Sequence, residues 1–166
     1  MTRGRKTGWP LWLVLVLLAL LHFYVRPRFY GGRGAPDFLL LALLIVSLRS
    51  RPGVAALTGF FIGLLTDALT PVRIGAGAFS HTVVAYLAAW GRSVFFPDNV
   101  LVNGVVFAAG TFVRNLLLLL ALDFSGTSVL NAFAPNTLLQ IVTTALAGAV
   151  VTLGLRPTKV DLRFEP

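Results

Sequence analysis

Few side chains of this chain could take part in acid–base, nucleophilic or metal chemistry. Its 166 residues include no cysteine and two histidines, His22 and His81. No GxSxG nucleophile elbow, HExxH zinc motif, phosphate-binding loop or dinucleotide-binding glycine pattern is present in the sequence. Ser80 directly precedes His81, and adjacent residues of a helix do not face each other, so this histidine is a poor base for that serine. The sequence therefore predicts no catalytic residue, no metal site and no cofactor.

Ionisable side chains do occur inside apolar segments, and Asp67 is one of them. It follows Gly59 and Gly63 at intervals of four residues, which places all three on one face of a helix. Two glycines at this spacing let a neighbouring backbone approach closely. A carboxylate on the same face costs a few kcal/mol in hydrocarbon, so a partner must compensate for it. The pattern predicts a face used for helix packing or for partner binding.

A second group of polar side chains is predicted to lie at one depth, in the outer half of the membrane. We call it the outer polar cluster; its members are Asp37, His81, Arg114, Asn115 and Gln140. It is either a satisfied network of ion pairs and hydrogen bonds that orders the bundle, or a site for a substrate or a partner helix. We expect Arg114 of this cluster to pair with Asp67 on the third segment, with Asp37 and His81 as competing partners of Asp67.

The elements that must position these residues are membrane helices. Hydrophobic residues make up 57% of the chain and charged residues 12%, whereas a soluble domain carries about 25% charged residues. The sequence predicts one polytopic membrane domain, residues 1–166, built as an all-α bundle of about six transmembrane helices. The predicted spans are residues 9–25, 36–48, 54–69, 77–90, 100–122 and 135–155. The second and fourth are short of the roughly 20 residues that a spanning helix needs.

Basic residues predict the orientation and the surroundings of the bundle. The net charge is +8, but the Lys and Arg residues lie mostly at the ends of apolar segments. This distribution favours membrane topology and anionic lipid headgroups over nucleic acid as its explanation. With six spans and a cytoplasmic N-terminus, nine of the fourteen basic residues lie inside and four outside, while Arg114 lies within a span. The positive-inside rule therefore predicts that both termini are cytoplasmic.

Residues 36–90 resemble a known family. Pro36-Asp37 begins an apolar run, the basic turn Arg49–Gly53 follows, and Gly59–Leu69 has the form GFxxGLLxDxL. Glycines then precede a helix that ends near Tyr86. This pattern resembles MreD, the small multi-span membrane protein of the bacterial rod-shape machinery. Length, number of segments and basic ends also agree over most of the chain.

The resemblance implies a non-enzymatic scaffold of the elongation complex in the bacterial inner membrane. The expected direct partner is MreC, and MreB, RodA and the partner transpeptidase of RodA are expected in the same complex. The expected function is support of regulated peptidoglycan synthesis and cell shape. The implied fold is similar to the substrate-binding components of vitamin transporters. This similarity supplies the alternative function, small-molecule uptake, with Asp123–Asn136 as the candidate lid over an outer pocket.

Overall fold

The computed structural model describes residues 9–25, 28, 34–69, 74–91, 100–121 and 127–155, and all regular structure in these ranges is helical. Six α-helices are present: α1 (Trp9–Leu20), α2 (Phe38–Ser47), α3 (Pro52–Leu69), α4 (Ala76–Gly91), α5 (Val100–Ala121) and α6 (Thr127–Leu155). A π-helical turn, Leu21–Val25, follows α1 directly. Each predicted segment thus contains one α-helix, and the prediction of an all-helical chain is confirmed.

Three of the helices are long and apolar enough to cross a membrane. They are Pro52–Leu69, Val100–Ala121 and the Pro135–Gly154 part of α6. The apolar helices Trp12–Val25 and Phe38–Ser47 are shorter. The prediction of about six transmembrane helices is therefore confirmed for the number of helices, while within the described residues three of them have the full spanning length.

The start of α6 differs from the predicted boundary. The sixth predicted span, residues 135–155, begins at Pro135. In the structure, α6 begins at Thr127 and Pro135 lies inside it. A helix can continue through proline when neighbouring groups satisfy the carbonyl that has lost its N–H partner. The stretch Asp123–Asn136, the candidate lid, is therefore helix from Thr127 onward rather than a loop.

The shortest helix, α2, occupies the centre of the bundle. Its sequence, FLLLALLIVS, is apolar on every side, and a helix of that kind is stable only when other elements surround it. Accordingly, Leu40, Leu41, Leu43 and Leu44 have no exposed surface. It contacts every other described helix. At 1.5 Å per residue its ten residues span about 15 Å. This is half the thickness of the hydrocarbon core, which is about 30 Å. The thickness of the bilayer therefore does not account for the length of α2, which depends on its packing against neighbouring helices.

The other helices follow one another around α2. The described neighbours are α1 with α6, α6 with α5, α5 with α4, and α4 with α3. Large apolar side chains on the outside of this arrangement are exposed, among them Phe61 on α3, Val105 on α5 and Val150 on α6. In water so much exposed apolar surface would be an aggregation hazard, whereas hydrocarbon solvates it. The exposure pattern fits a membrane protein.

Most residues on which the predicted orientation depends lie outside the described ranges. These are Arg3, Arg5 and Lys6 at the N-terminus, Arg156, Lys159 and Arg163 at the C-terminus, and Arg26, Arg33, Arg73 and Arg92 between the helices. The cytoplasmic location of both termini therefore stays a prediction.

Candidate functional site

The glycine face of α3 packs against α4 inside the bundle. Gly59, Gly63 and Asp67 are all buried. A Cβ atom added to Gly59 would lie 2.5 Å from the carbonyl oxygen of His81 on α4. A Cβ atom on Gly63 would lie 2.5 Å from the Cα atom of Ala78. Because the two backbones are this close, the face is occupied by α4 and is not open to a helix from another protein.

Asp67 binds the N-terminus of α4 with both oxygens of its carboxylate. The backbone N–H groups of Gly75, Gly77 and Ala78 donate to it at 2.9, 2.9 and 3.0 Å. The first N–H groups of a helix have no partner within that helix and carry a partial positive charge, so a carboxylate is favoured there. Gly75 has φ 101°, a conformation that suits glycine, and a Cβ on Gly77 would collide with Asp67.

The predicted ion pair between Asp67 and Arg114 is therefore wrong. The charge on Asp67 is compensated by three backbone N–H groups at the start of α4, whereas Arg114 pairs with a different carboxylate. The physical reason is that a helix N-terminus, like a guanidinium group, offers several donors to a carboxylate, and α4 begins seven residues after α3 ends.

Asp37 performs the same task at the start of α2 with more partners. Its carboxylate accepts a hydrogen bond from the N–H of Leu40 at 3.1 Å, as an N-cap residue does. Its own N–H donates to the Thr144 hydroxyl on α6 at 3.1 Å. Nη1 of Arg114 on α5 lies 3.5 Å from its second carboxylate oxygen. Asp37 is 1% exposed, so this single side chain joins α2, α5 and α6 in the interior.

From Asp37 and Arg114, a series of hydrogen bonds between side chains continues to α6. Nη1 of Arg114 donates to the side-chain oxygen of Asn115 at 3.0 Å. The side-chain amide of Asn115 then donates to that of Gln140 at 2.8 Å. Four members of the outer polar cluster, Asp37, Arg114, Asn115 and Gln140, are thus brought together in one series of contacts.

His22 was missed by the sequence analysis and lies against this cluster. Its Nδ1 atom accepts a hydrogen bond from the N–H of Leu39 at 3.2 Å and lies 3.4 Å from the carboxylate of Asp37. Position along the segment carries the signal for this residue. His22 lies near the end of the first predicted span, residues 9–25, which is predicted to be its outer end and thus at the level of Asp37.

His81 lies beside the cluster and is bonded to its own helix. The residue is completely buried, and its Nδ1 donates to the carbonyl oxygen of Gly77 at 2.8 Å. Ser80 donates to the same carbonyl, at 3.1 Å, so the two side chains do not form a nucleophile and base pair. Nε2 of His81 has no hydrogen-bond partner among the described residues. Arg114 and Asp37 are close enough to act on it electrostatically.

The chemistry open to this arrangement is the joining of helices. Asp67 and Asp37 accept from backbone N–H groups, and the amides bond to each other and to Arg114. No group of three or more His, Cys, Asp or Glu side chains suited to a metal ion occurs in the described part of the chain.

Comparison with known proteins identifies one family. The family model described as rod shape-determining protein MreD matches residues 3–153. This match includes all six helices except the last residues of α6, together with the two carboxylates that cap α2 and α4. No curated protein and no solved structure matches the chain. The predicted similarity to vitamin-transporter components is accordingly without support.

Proposed function

The chain belongs to the MreD family of rod shape-determining proteins, and from this premise we propose that it acts as a non-enzymatic membrane scaffold of the bacterial elongation complex. The family match over residues 3–153 is the observation that carries the proposal. The membrane character of the chain supports it, since three helices are long and apolar enough to span a bilayer.

In this proposal MreC is the direct partner, and MreB, RodA and the transpeptidase of RodA belong to the same complex. The protein lies in the inner membrane with both termini in the cytoplasm. Its effect on peptidoglycan synthesis and cell shape is exerted by binding. The use of its buried carboxylates as helix caps supports this reading, because a scaffold needs a stable bundle rather than reactive groups.

The partner can be identified by purification in a mild detergent, followed by mass spectrometry of the native complex. The scaffold proposal predicts a co-purifying protein with one membrane helix and a large periplasmic part. A bound vitamin together with an ATPase module would contradict it and would favour uptake, the alternative function.

Cell shape gives a second test. Depletion from a rod-shaped host is expected to give round, wide cells with mislocalised wall synthesis. Rods of normal width after complete depletion would contradict the proposal. Because the chain has no native cysteine, single cysteines introduced at either terminus can report the predicted orientation. Both should be protected from membrane-impermeant reagents in intact spheroplasts.

A further inference from the structure

The two ring nitrogens of His81 differ in their surroundings. Nδ1 lies 2.8 Å from the carbonyl oxygen of Gly77, which has no proton to give, so Nδ1 supplies the proton of that hydrogen bond. Nε2 is buried and has no hydrogen-bond partner among the described residues. It requires one in either charge state of the ring, because Nε2 is an acceptor when the ring is neutral and a donor when it is protonated. Native proteins rarely leave such a buried atom unbonded.

The packing around Val84 locates this histidine in the bundle. A Cβ atom on Gly110 of α5 would lie 3.0 Å from Leu44 of α2 and 3.4 Å from Val84 of α4, so the three helices meet at this level. His81 precedes Val84 by three residues and therefore lies on the same face of α4. Arg114 follows Gly110 by four residues, likewise on the same face of its helix, and it acts on His81 electrostatically. His81 thus lies at the junction of α2, α4 and α5.

Charged groups that can bind a further small molecule border this junction. Asp37 acts on His81 electrostatically as Arg114 does, and Nη1 of Arg114 lies 3.5 Å from the Asp37 carboxylate. Each of the two groups can take a hydrogen bond in addition to those it makes, since a carboxylate has several lone pairs and a guanidinium several N–H donors. Asp67 also acts on His81, but its carboxylate already accepts from three backbone N–H groups.

We propose that a buried water molecule binds Nε2 of His81 and joins α4 to the pair formed by Asp37 and Arg114. Water suits this nitrogen in either charge state of the ring, because it both donates and accepts. A buried water makes about three hydrogen bonds, and Nε2, the carboxylate and the guanidinium group provide that number of partners. The inference goes beyond the proposed scaffold function and does not depend on it, since it concerns the link between two parts of the bundle.

Solid-state NMR on the full-length protein in phospholipid bilayers tests for the water directly. The chain has only two histidines, so ¹⁵N-histidine labelling gives two sets of ring signals, and those of His81 are the ones that disappear in His81→Asn. We expect magnetisation from water to reach Nε2 of His81, while Nδ1 carries a proton. A high-resolution density map should likewise show a water oxygen about 2.7–3.2 Å from Nε2.

A pair of adjacent substitutions tests the link to Arg114. In His81→Asn, the shorter amide can still donate to the Gly77 carbonyl, but it does not extend to the position of Nε2. Arg114→Gln should therefore lower the Tm in detergent less in the His81→Asn background than in the native chain. Ser80→Ala is the matched control, because Ser80 is also buried and donates to the same Gly77 carbonyl. In that background the effect of Arg114→Gln on the Tm should be unchanged.

The wild-type spectrum can overturn the proposal without either variant. It does so if Nε2 correlates with a proton of the protein, such as an N–H of Arg114, in place of water. It also does so if neither water nor a protein proton reaches Nε2. An effect of Arg114→Gln that is the same in His81→Asn as in Ser80→Ala would contradict the link between α4 and the ion pair.

Discussion

Asp67 and Asp37 both satisfy the start of a buried helix, yet they do so with partners of very different origin. The three donors to Asp67 lie 8, 10 and 11 residues further along the chain, within one helical hairpin. Asp37 is bonded to Thr144, 107 residues away, and lies within ion-pair distance of Arg114 and His22 on two other elements. The α3–α4 hairpin is thus locally complete, whereas the site at Asp37 exists only after α1, α2, α5 and α6 have assembled.

The difference indicates a division of roles between the two regions. The hairpin has few alternative arrangements, because three N–H groups donate to one carboxylate and glycines let the two backbones pack closely. At Asp37, the guanidinium group of Arg114 and the ring nitrogen of His22 lie near one carboxylate, and this nitrogen also accepts from the N–H of Leu39. We expect the hairpin to contribute local stability and the outer polar cluster to hold the assembled helices together.

The largest effect is expected from Asp67→Ala. The substitution leaves three backbone N–H groups at the start of α4 without their acceptor, and each buried unsatisfied group costs about 1–3 kcal/mol. Because such losses are not fully additive, we expect a decrease of at least about 3 kcal/mol in the free energy of unfolding. Thermal unfolding in detergent measures it. Thr58→Ala on the same helix is the control, since this half-buried side chain donates to the Val54 carbonyl of its own helix. A similar stability of the two variants would contradict the role of Asp67.

Gly59→Ala is expected to follow, with a loss of about 1–3 kcal/mol. The new Cβ would approach the carbonyl oxygen of His81 to 2.5 Å, so the two backbones must separate. Gly104→Ala is the matched control, because a Cβ on this helical glycine meets no atom within 4 Å. That substitution should stabilise the protein by about 0.4–1 kcal/mol, through reduced entropy of the unfolded chain. Equal effects of the two variants would show that close packing is not what Gly59 provides.

A double-mutant cycle distinguishes the two carboxylates as partners of Arg114. Asp37→Asn and Arg114→Gln should show a coupling free energy of about 1–2 kcal/mol, because the two side chains are in contact. Asp67→Asn combined with Arg114→Gln should be additive to within about 0.5 kcal/mol. Thermal stability of the single and double variants in detergent gives both values. Stronger coupling of Arg114 to Asp67 than to Asp37 would join the two regions into one site.

The smallest loss of stability is expected at Asn115 and Gln140, where the series of side-chain hydrogen bonds ends. Asn115→Ala and Gln140→Ala both remove the hydrogen bond between the two amides, which is worth about 1 kcal/mol. Asn115→Ala also removes an acceptor of Arg114, so it should cost more than Gln140→Ala. The double variant should cost little more than Asn115→Ala alone, since the bond between the amides is already lost in that variant. Additive losses in a denaturation experiment would mean that the two amides act through different partners.

Several features of the site were predictable because they follow from position along a helix. The spacing of Gly59, Gly63 and Asp67 predicted one face, and depth along each segment predicted that Asp37, Arg114, Asn115 and Gln140 lie at one level. The partner of Asp67 was not predictable in this way. Depth along the segments indicated Arg114 as a candidate partner of Asp67. The donors that bind Asp67 belong instead to the backbone, and every residue except proline carries such a donor, so the residue types do not identify them.

Composition, segment length and motif spacing are properties of the linear chain, and they were sufficient to predict the helical class, the membrane character and the family of this protein. Tertiary packing was needed to place the short α2 at the centre, to pair Arg114 with Asp37 rather than Asp67, and to bring His22 to them. This is because core and lipid are both apolar. The pattern of apolar residues in a membrane helix therefore says little about which side faces a neighbour, and the lateral order of the helices emerges only when they pack.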